Sequence, residues 1–182
     1  MTLQDAKTYF TGHIAALKKM CSDGTPWVFL CASVVIEYLS KLAAGKDEGG
    51  AGFKKFIRQF FPDEYRNFRY QSGDIDLPEQ MYHVLRCGIV HSFSMIPDTR
   101  GRDRGARDRS VVMSHDEVHL SPHSSAVVSD ACCLRAETFV ADIEKATKRL
   151  FTEAEADTAA GRKLAKNIEA WLQQHPPIRG NV

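Results

Sequence analysis

Apolar residues recur every three or four positions over most of this chain, and this periodicity constrains the fold more than any other feature. Such spacing gathers apolar side chains on one face of an α-helix. The periodic stretches lie at residues 2–22, 26–44, 53–61, 77–93, 132–150 and 152–174. The sequence therefore predicts an all-α fold, an up-and-down bundle of five to six helices.

Residues that stop or start helices stand at the ends of these stretches. Ser, Thr and Asp side chains cap the first backbone N–H groups of a helix, and glycine commonly ends one. We expect caps at Thr2, Thr25, Asp76 and Thr152, and a helix end at Gly45. The glycines that follow Gly45, up to residue 52, indicate a flexible connection before the next helix.

The second helical stretch, 26–44, is apolar almost all round, which is typical of a helix at the centre of a bundle. Ser33, Glu37, Ser40 and Lys41 interrupt it. We expect a buried helix and not a membrane span, because these polar residues would be costly in a bilayer.

Composition and charge point to a soluble intracellular protein. The net charge is only +1, so any preference for a polyanion must come from local clustering. The five cysteines are odd in number and include no C-x-x-C pair, a pattern typical of free thiols in a reducing compartment. The N-terminus lacks the basic and apolar regions of a signal peptide. We expect a cytoplasmic location and no contact with a membrane.

The chain is expected to form one domain with two parts. Residues 1–151 would form the helical bundle, with a polar insertion at 98–125, and residues 152–182 a C-terminal helical extension of the same domain. Within the insertion, the segments VVMSH and VHL can form a small β-hairpin.

One segment, LPEQMYHVLRCGIVHSFSMIP, carries the residues best suited to chemistry. It holds Arg86 and His91 with four residues between them, near the end of a predicted helix. Histidine can donate or accept a proton near neutral pH, and arginine holds a phosphate with a forked set of donors. Together they provide the groups that metal-free RNA cleavage requires.

In this motif the sequence resembles the HEPN superfamily of helical domains, whose members carry Arg-x(4–6)-His near the end of one helix. The resemblance covers roughly residues 2–151. The segment RCGIVHSF is similar to the corresponding segment of plasmid- and phage-associated members. The order of two N-terminal helices, a connection, the motif helix, an insertion and a closing helix also fits. Glu37 lies in the helix that in this family often places a polar residue near the motif.

The resemblance implies a metal-independent endoribonuclease that cleaves single-stranded RNA to a 2′,3′-cyclic phosphate, as a toxin or defence component. His91 would act as acid or base and Arg86 would stabilise the phosphate. The resemblance implies no metal and no organic cofactor, and toxin-type members usually travel with an antitoxin protein. Glu37, Tyr82, Cys87 and Ser92 could support the site, and Arg100, Arg102 and Arg104 of the polar insertion could bind RNA.

Geometry raises a question about the motif. In a regular α-helix, residues five apart point about 140° away from each other. Arg86 and His91 would converge if the helix frays after Gly88, or if two motifs face each other across a homodimer. We favour the homodimer, because it doubles the density of cations at the site.

A non-catalytic interpretation stays open beside the nuclease. Members with nuclease activity often carry a polar residue directly after the motif arginine, where this chain has Cys87. Arg86 could instead pair with Glu37 inside the bundle, since a buried acid needs a partner. The domain would then bind a nucleotide, RNA or a protein partner without cleaving it.

Overall fold

Helices build most of the protein, which confirms the predicted helical class, and a small three-stranded sheet is added to them. The computed structural model describes residues 2–71, 76–89, 109–114, 116–125 and 130–176. The helices are α1 (Leu3–Ser22), α2 (Trp27–Ala44), α3 (Gly49–Phe60), α4 (Glu64–Asn67), α5 (Leu77–Met81), a π-helix (Tyr82–Ile89), α6 (Ala136–Glu155) and α7 (Ala159–Gln174). The strands are β1 (Arg109–Ser114), β2 (Pro122–His123) and β3 (Asp130–Arg135).

Several predicted helix ends are confirmed. Thr2 and Asp5 form a reciprocal capping box at the start of α1. The Asp76 side chain accepts the backbone N–H of Glu79 at 3.0 Å and so caps α5. Gly45 ends α2 with a φ of 71°, a left-handed conformation that costs glycine little. These ends are set by local chemistry, which is why the sequence is sufficient to place them.

Helix α2 lies at the centre of the bundle, as its composition predicts. It packs against α1, α3, α6, α7 and the π-helix. Ile36 and Leu39 are fully buried, and Phe29 stacks on Phe139 of α6 with ring centroids 5.9 Å apart. Its mean hydropathy of 1.6 and its 18 residues would also suit a membrane span, and 44% of those residues are buried inside the protein. A helix in the core of a protein can have the same length and mean hydropathy as a membrane span.

The predicted hairpin is wrong. Strand β1 pairs with β3 in parallel, with Val111 opposite Cys132, and β2 pairs with β3 in the antiparallel sense. Both strands therefore flank β3 and do not pair with each other. The prediction failed because β3 is a short run of buried apolar residues, and periodicity alone cannot distinguish such a run from the start of a helix.

The boundaries of the last two helices differ from those predicted. Helix α6 begins at Ala136 and continues through Thr152 to Glu155, so Thr152 does not cap a helix. Thr158 caps α7 and accepts the N–H of Gly161 at 2.9 Å. The T-x-x-E pattern at 152–155 also suits a helix interior, which explains the error. Helix α7 packs on α2, where the Asn167 amide donates to the carbonyl of Ala43 at 2.9 Å.

The glycine-rich connection is also different from the expected flexible linker. Gly49, Gly50 and Gly52 lie in the first turn of α3. A Cβ atom at Gly50 would lie only 2.5 Å from Cζ of Tyr82. The small residue thus allows α3 to approach the π-helix closely, and this approach positions the Tyr82 ring.

Candidate functional site

The motif helix departs from a regular α-helix. It begins as α5 and continues as a π-helix over Tyr82–Ile89. A π-helix forms hydrogen bonds from residue i to i+5, so residues five apart lie nearly above one another, and such segments occur frequently at functional sites. Tyr82 and Cys87, five apart, lie close enough for Cys87 to raise the pKa of the Tyr82 hydroxyl. The divergence expected for residues five apart on an α-helix therefore does not apply to this segment.

Arg86 reaches from the π-helix to the central helix α2. Nε of its guanidinium forms an ion pair with Oε2 of the Glu37 carboxylate, and Nη2 donates a longer hydrogen bond of 3.4 Å to Oε1. Their side chains are 24% and 20% exposed, so solvent still reaches the pair. Glu37, the partly buried acid of α2, therefore pairs with Arg86, which is one of the two roles that the sequence left open for it.

Lys41 and Asp47 extend this ion pair. The Lys41 ammonium lies 3.0 Å from Oε1 of Glu37 and 2.9 Å from Oδ2 of Asp47. Its hydrogen bond to Asp47, with one from the N–H of Gly49, lowers the pKa of the Asp47 carboxyl. Burial alone would lower the pKa of Lys41, but hydrogen bonds to the two carboxylates outweigh burial and raise it. The sequence analysis missed Lys41, although its spacing of four residues from Glu37 is typical of a helical ion pair.

A second charged group lies at the start of the same motif helix. The Lys54 ammonium, from α3, lies 2.7 Å from Oε2 of Glu79. Nε2 of His83 lies 3.1 Å from Oε1 of the same carboxylate. The sequence analysis missed all three residues. The spacing of four between Glu79 and His83 was a usable signal, but Lys54 is distant in sequence and only the packing of α3 brings it here.

Tyr82 connects the two charged groups. The centroid of its ring lies 5.7 Å from the centroid of the His83 ring and 5.8 Å from the ammonium nitrogen of Lys54. Burial and the neighbouring Cys87 raise the pKa of its hydroxyl. Together these residues form what we term the π-helix surface: Glu37, Lys41, Asp47, Lys54, Glu79, Tyr82, His83, Arg86 and Cys87.

This surface offers three cations, three carboxylates and one imidazole. Arg86, Lys41 and Lys54 can bind phosphate oxygens, and an imidazole can move protons. The carboxylates pair with all three cations. A bound anion must therefore open or share at least one of these ion pairs.

Several predicted site residues lie outside the residues that the structure describes. These are His91, Ser92, Arg100, Arg102 and Arg104, together with residues 98–108 and 115 of the predicted insertion. Of the predicted site, the structure brings Glu37, Tyr82, Arg86 and Cys87 together. Among the described residues there is no cluster of three His, Cys, Asp or Glu side chains that could hold a metal ion.

A different polar network lies inside the fold, around the fully buried Tyr65 of α4. The Tyr65 hydroxyl lies 2.9 Å from Nε2 of His119 and donates to Oδ2 of Asp142 at 3.1 Å. The backbone N–H of Arg135 donates to Nδ1 of His119 at 3.1 Å, and the Lys145 ammonium lies 2.8 Å from Oδ1 of Asp142. Because the Arg135 N–H requires Nδ1 to accept, Nε2 carries the proton of the neutral ring and donates to Tyr65.

In this network, which we term the Tyr65 network, both ring nitrogens of His119 and both oxygens of Asp142 have partners. Burial alone would raise the pKa of Asp142, but hydrogen bonds with His119 and Lys145 outweigh it and lower the pKa. A network in which these groups are paired stabilises one arrangement of the fold. The π-helix surface is therefore the better candidate for the functional site.

Comparison with known proteins adds no family to these observations. No protein-family model matches the sequence, and no curated protein or solved structure is significantly similar to it.

Proposed function

We propose that this protein is a metal-independent endoribonuclease of the HEPN type, which cleaves single-stranded RNA to a 2′,3′-cyclic phosphate. The observation that carries the proposal is the π-helix at the motif. Residues five apart share one face of such a helix, and Cys87 accordingly lies close enough to Tyr82 to raise the pKa of its hydroxyl. Arg86 is a residue of this helix, whereas His91 follows it by two residues in the sequence, outside the described residues, and its place beside Arg86 is part of the proposal.

Arg86 has the chemistry to stabilise the phosphate. Its guanidinium carries five donors in a plane, and two of its nitrogens, Nε and Nη2, face the Glu37 carboxylate. Glu37 thus fixes the direction of the side chain from the rigid central helix, while solvent retains access to it. As negative charge grows on the phosphate oxygens in the transition state, such a preoriented donor set lowers the barrier.

The proposal includes further parts that come with the family resemblance. His91 would act as acid or base, with Ser92 beside it, and Arg100, Arg102 and Arg104 would bind the RNA backbone. We also propose a homodimer with the motif helix near its two-fold axis, an antitoxin-like partner protein and a cytoplasmic site of action.

A second candidate is a non-catalytic HEPN-like module that binds a nucleotide, RNA or protein partner. The ion pairs favour it, because Glu37 and Asp47 neutralise both Arg86 and Lys41. Cys87, at a position that is often polar in nuclease members, favours it as well.

One experiment separates the two candidates. We expect the purified protein to cleave single-stranded RNA in the presence of EDTA and to leave 2′,3′-cyclic phosphate ends. His91→Ala should reduce the rate by at least about a hundredfold, the usual contribution of an acid or base. The matched control, His123→Ala, removes an imidazole from β2 and should cleave like the wild type.

Two results would contradict the proposal. Wild-type protein that cleaves no member of a broad RNA panel would support the binding module. Cleavage that persists in His91→Ala would show that the acid and base lie elsewhere.

A further inference from the structure

We propose that a cavity between α2, α3, α6 and α7 binds a small organic phosphate, a ligand that joins a phosphate dianion to an apolar group. This cavity, which we term the α3–α7 cavity, has a volume of about 690 Å³. None of the residues that line it belongs to the π-helix surface. The site is therefore separate from the proposed ribonuclease site and does not depend on it.

Two lysines from different helices face this cavity without a counter-charge. Lys55 of α3 and Lys163 of α7 both line it. Among the described residues, neither lysine has a hydrogen-bond or ion-pair partner. Both side chains are exposed, so they remain charged and can turn towards a ligand in the cavity.

The two carboxylates of the lining are already paired with other cations. Glu48 lies 3.0 Å from the ammonium of Lys46, and Glu153 lies 2.8 Å from Nε of Arg149. These pairs leave the charges of the two unpartnered lysines uncompensated. On the π-helix surface an anion must open or share an ion pair, whereas an anion in the α3–α7 cavity can bind without breaking one.

The charge of the cavity suits a phosphate monoester better than a carboxylate. A phosphate monoester carries about 1.5 to 2 negative charges at pH 7, which matches two lysines, while a carboxylate carries only one. Lysine is also a common phosphate ligand. The first turn of α7 lines the cavity at Thr158, Ala160 and Gly161, and the positive end of the helix dipole adds to the attraction for an anion.

Tight packing between helix ends fixes the walls of the cavity. The Asn167 amide, which donates to the carbonyl of Ala43, ties α7 to the end of α2. A Cβ atom at Gly161 would lie 2.2 Å from the carbonyl oxygen of Ala156, so α7 begins directly against the chain that leaves α6. All four residues line the cavity. Walls that are held in this way lose little conformational freedom when a ligand binds.

An apolar recess adjoins the cavity and shares Lys55 and Leu164 with it. The recess has a volume of about 50 Å³, and the buried rings of Phe56 and Phe60 line it. Ligand sites commonly combine apolar walls with a few polar groups that fix orientation. Because Lys55 lines both spaces, one ligand can place its apolar group against the recess and its phosphate beside the lysines.

The test follows the backbone amide signals of isotope-labelled full-length protein by NMR while phenyl phosphate is added at low ionic strength. We expect the largest shifts at the amides of Lys46, Lys55 and Gly161. Lys55→Gln and Lys163→Gln should each raise the dissociation constant by about three- to fivefold, the upper range for an exposed charge pair, and the double variant by about tenfold. The same spectra show whether each variant is folded.

The matched control is Lys166→Gln. Lys166 is an exposed lysine of the same helix, has no partner among the described residues and does not line the cavity. Its substitution removes the same charge and should leave the dissociation constant within about twofold of wild type. Two further ligands separate charge from apolar contact. Benzoate keeps a ring with one charge, and methyl phosphate keeps the dianion without a ring, so each should bind about threefold more weakly than phenyl phosphate or worse.

Several results would overturn the proposal. Phenyl phosphate at low millimolar concentration might shift no amide at the cavity, or both lysine variants might bind it like the wild type; either result excludes the site. An equal loss in Lys166→Gln would show only a general attraction to basic surface. Benzoate that binds as tightly as phenyl phosphate would contradict a dianion, and methyl phosphate that does so would contradict a role for the recess.

Discussion

The π-helix surface and the Tyr65 network are built from the same residue types, yet solvent reaches them to very different extents. The Asp142 carboxylate of the Tyr65 network is 6% exposed, whereas Arg86 and His83 on the π-helix surface are 24% and 26% exposed. In the Tyr65 network, both ring nitrogens of His119 have partners. On the π-helix surface, Nδ1 of His83 faces no described donor or acceptor.

This difference indicates two roles for polar and charged groups in the protein, one in stability and one in ligand binding. Hydrogen-bonded groups that are largely buried fix the packing of α4 and α6 and contribute to stability. Partly exposed charges on an unusual helix contribute little to stability, because water screens them. They can instead exchange one partner for a ligand. If the comparison is correct, substitutions should disturb folding strongly in the Tyr65 network and weakly on the π-helix surface.

The largest effect on folding is expected for Asp142→Ala. It removes the acceptor of the buried Tyr65 hydroxyl and a partner of Lys145, and should lower the free energy of unfolding by about 2–3 kcal/mol. Chemical denaturation measures this loss. As a control, Glu155→Ala removes an exposed carboxylate that pairs with Lys7, and should cost less than about 0.5 kcal/mol.

The loss should also depend on pH. The pKa of Asp142 is lowered from its ordinary value of 3.8, so its contribution is present above that value and disappears as the pH falls through the folded-state pKa. The difference between wild type and Asp142→Ala should therefore be full at pH 7 and should shrink below about pH 4. An undiminished difference at pH 3 would show that the carboxylate charge is not the cause.

A smaller effect is expected where α3 meets the π-helix. Gly50→Ala places a Cβ atom 2.5 Å from Cζ of Tyr82, so the ring or the helix must move. We expect a loss of about 1–2 kcal/mol, the usual cost of overpacking. Gly12→Ala is the matched control, since nothing lies within 4 Å of the added Cβ in the interior of α1. It should stabilise the protein by about 0.5 kcal/mol. Equal effects of the two substitutions would contradict the close approach.

Two tyrosines give the smallest and most direct contrast. Tyr65→Phe removes a buried hydroxyl with two hydrogen-bond partners, and should cost about 1 kcal/mol in the free energy of unfolding. Tyr82→Phe removes a half-buried hydroxyl that contacts Cys87, and should cost less than about half of that. A larger loss for Tyr82→Phe would reverse the comparison.

The sequence predicts one of these regions far better than the other. Arg86 and Glu37 stand out because they are charged residues within apolar, periodic helices. Lys54 and the partners in the Tyr65 network do not stand out, because tertiary packing joins residues far apart in the chain. Tyr65 and Asp142, for example, are 77 residues apart.

Secondary structure shows the same division between local and distant causes. Thr2, Asp76 and Gly45 are placed correctly, since capping depends on a few neighbouring residues. Strand β3 was missed, because its parallel pairing with β1 depends on distant residues. The π-helix was missed as well, since the apolar spacing of its residues also suits an α-helix.

The central claim, that Arg86 serves function more than folding, is tested most directly by Arg86→Lys. Cleavage of single-stranded RNA and the thermal unfolding midpoint are measured on the same preparation. We predict that cleavage falls by about a hundredfold, because a point charge cannot replace the planar fork at the transition state. The midpoint should stay within about 2 °C of wild type, because a partly exposed pair contributes little to stability. Unchanged cleavage, or a midpoint lowered as far as in Asp142→Ala, would contradict the claim.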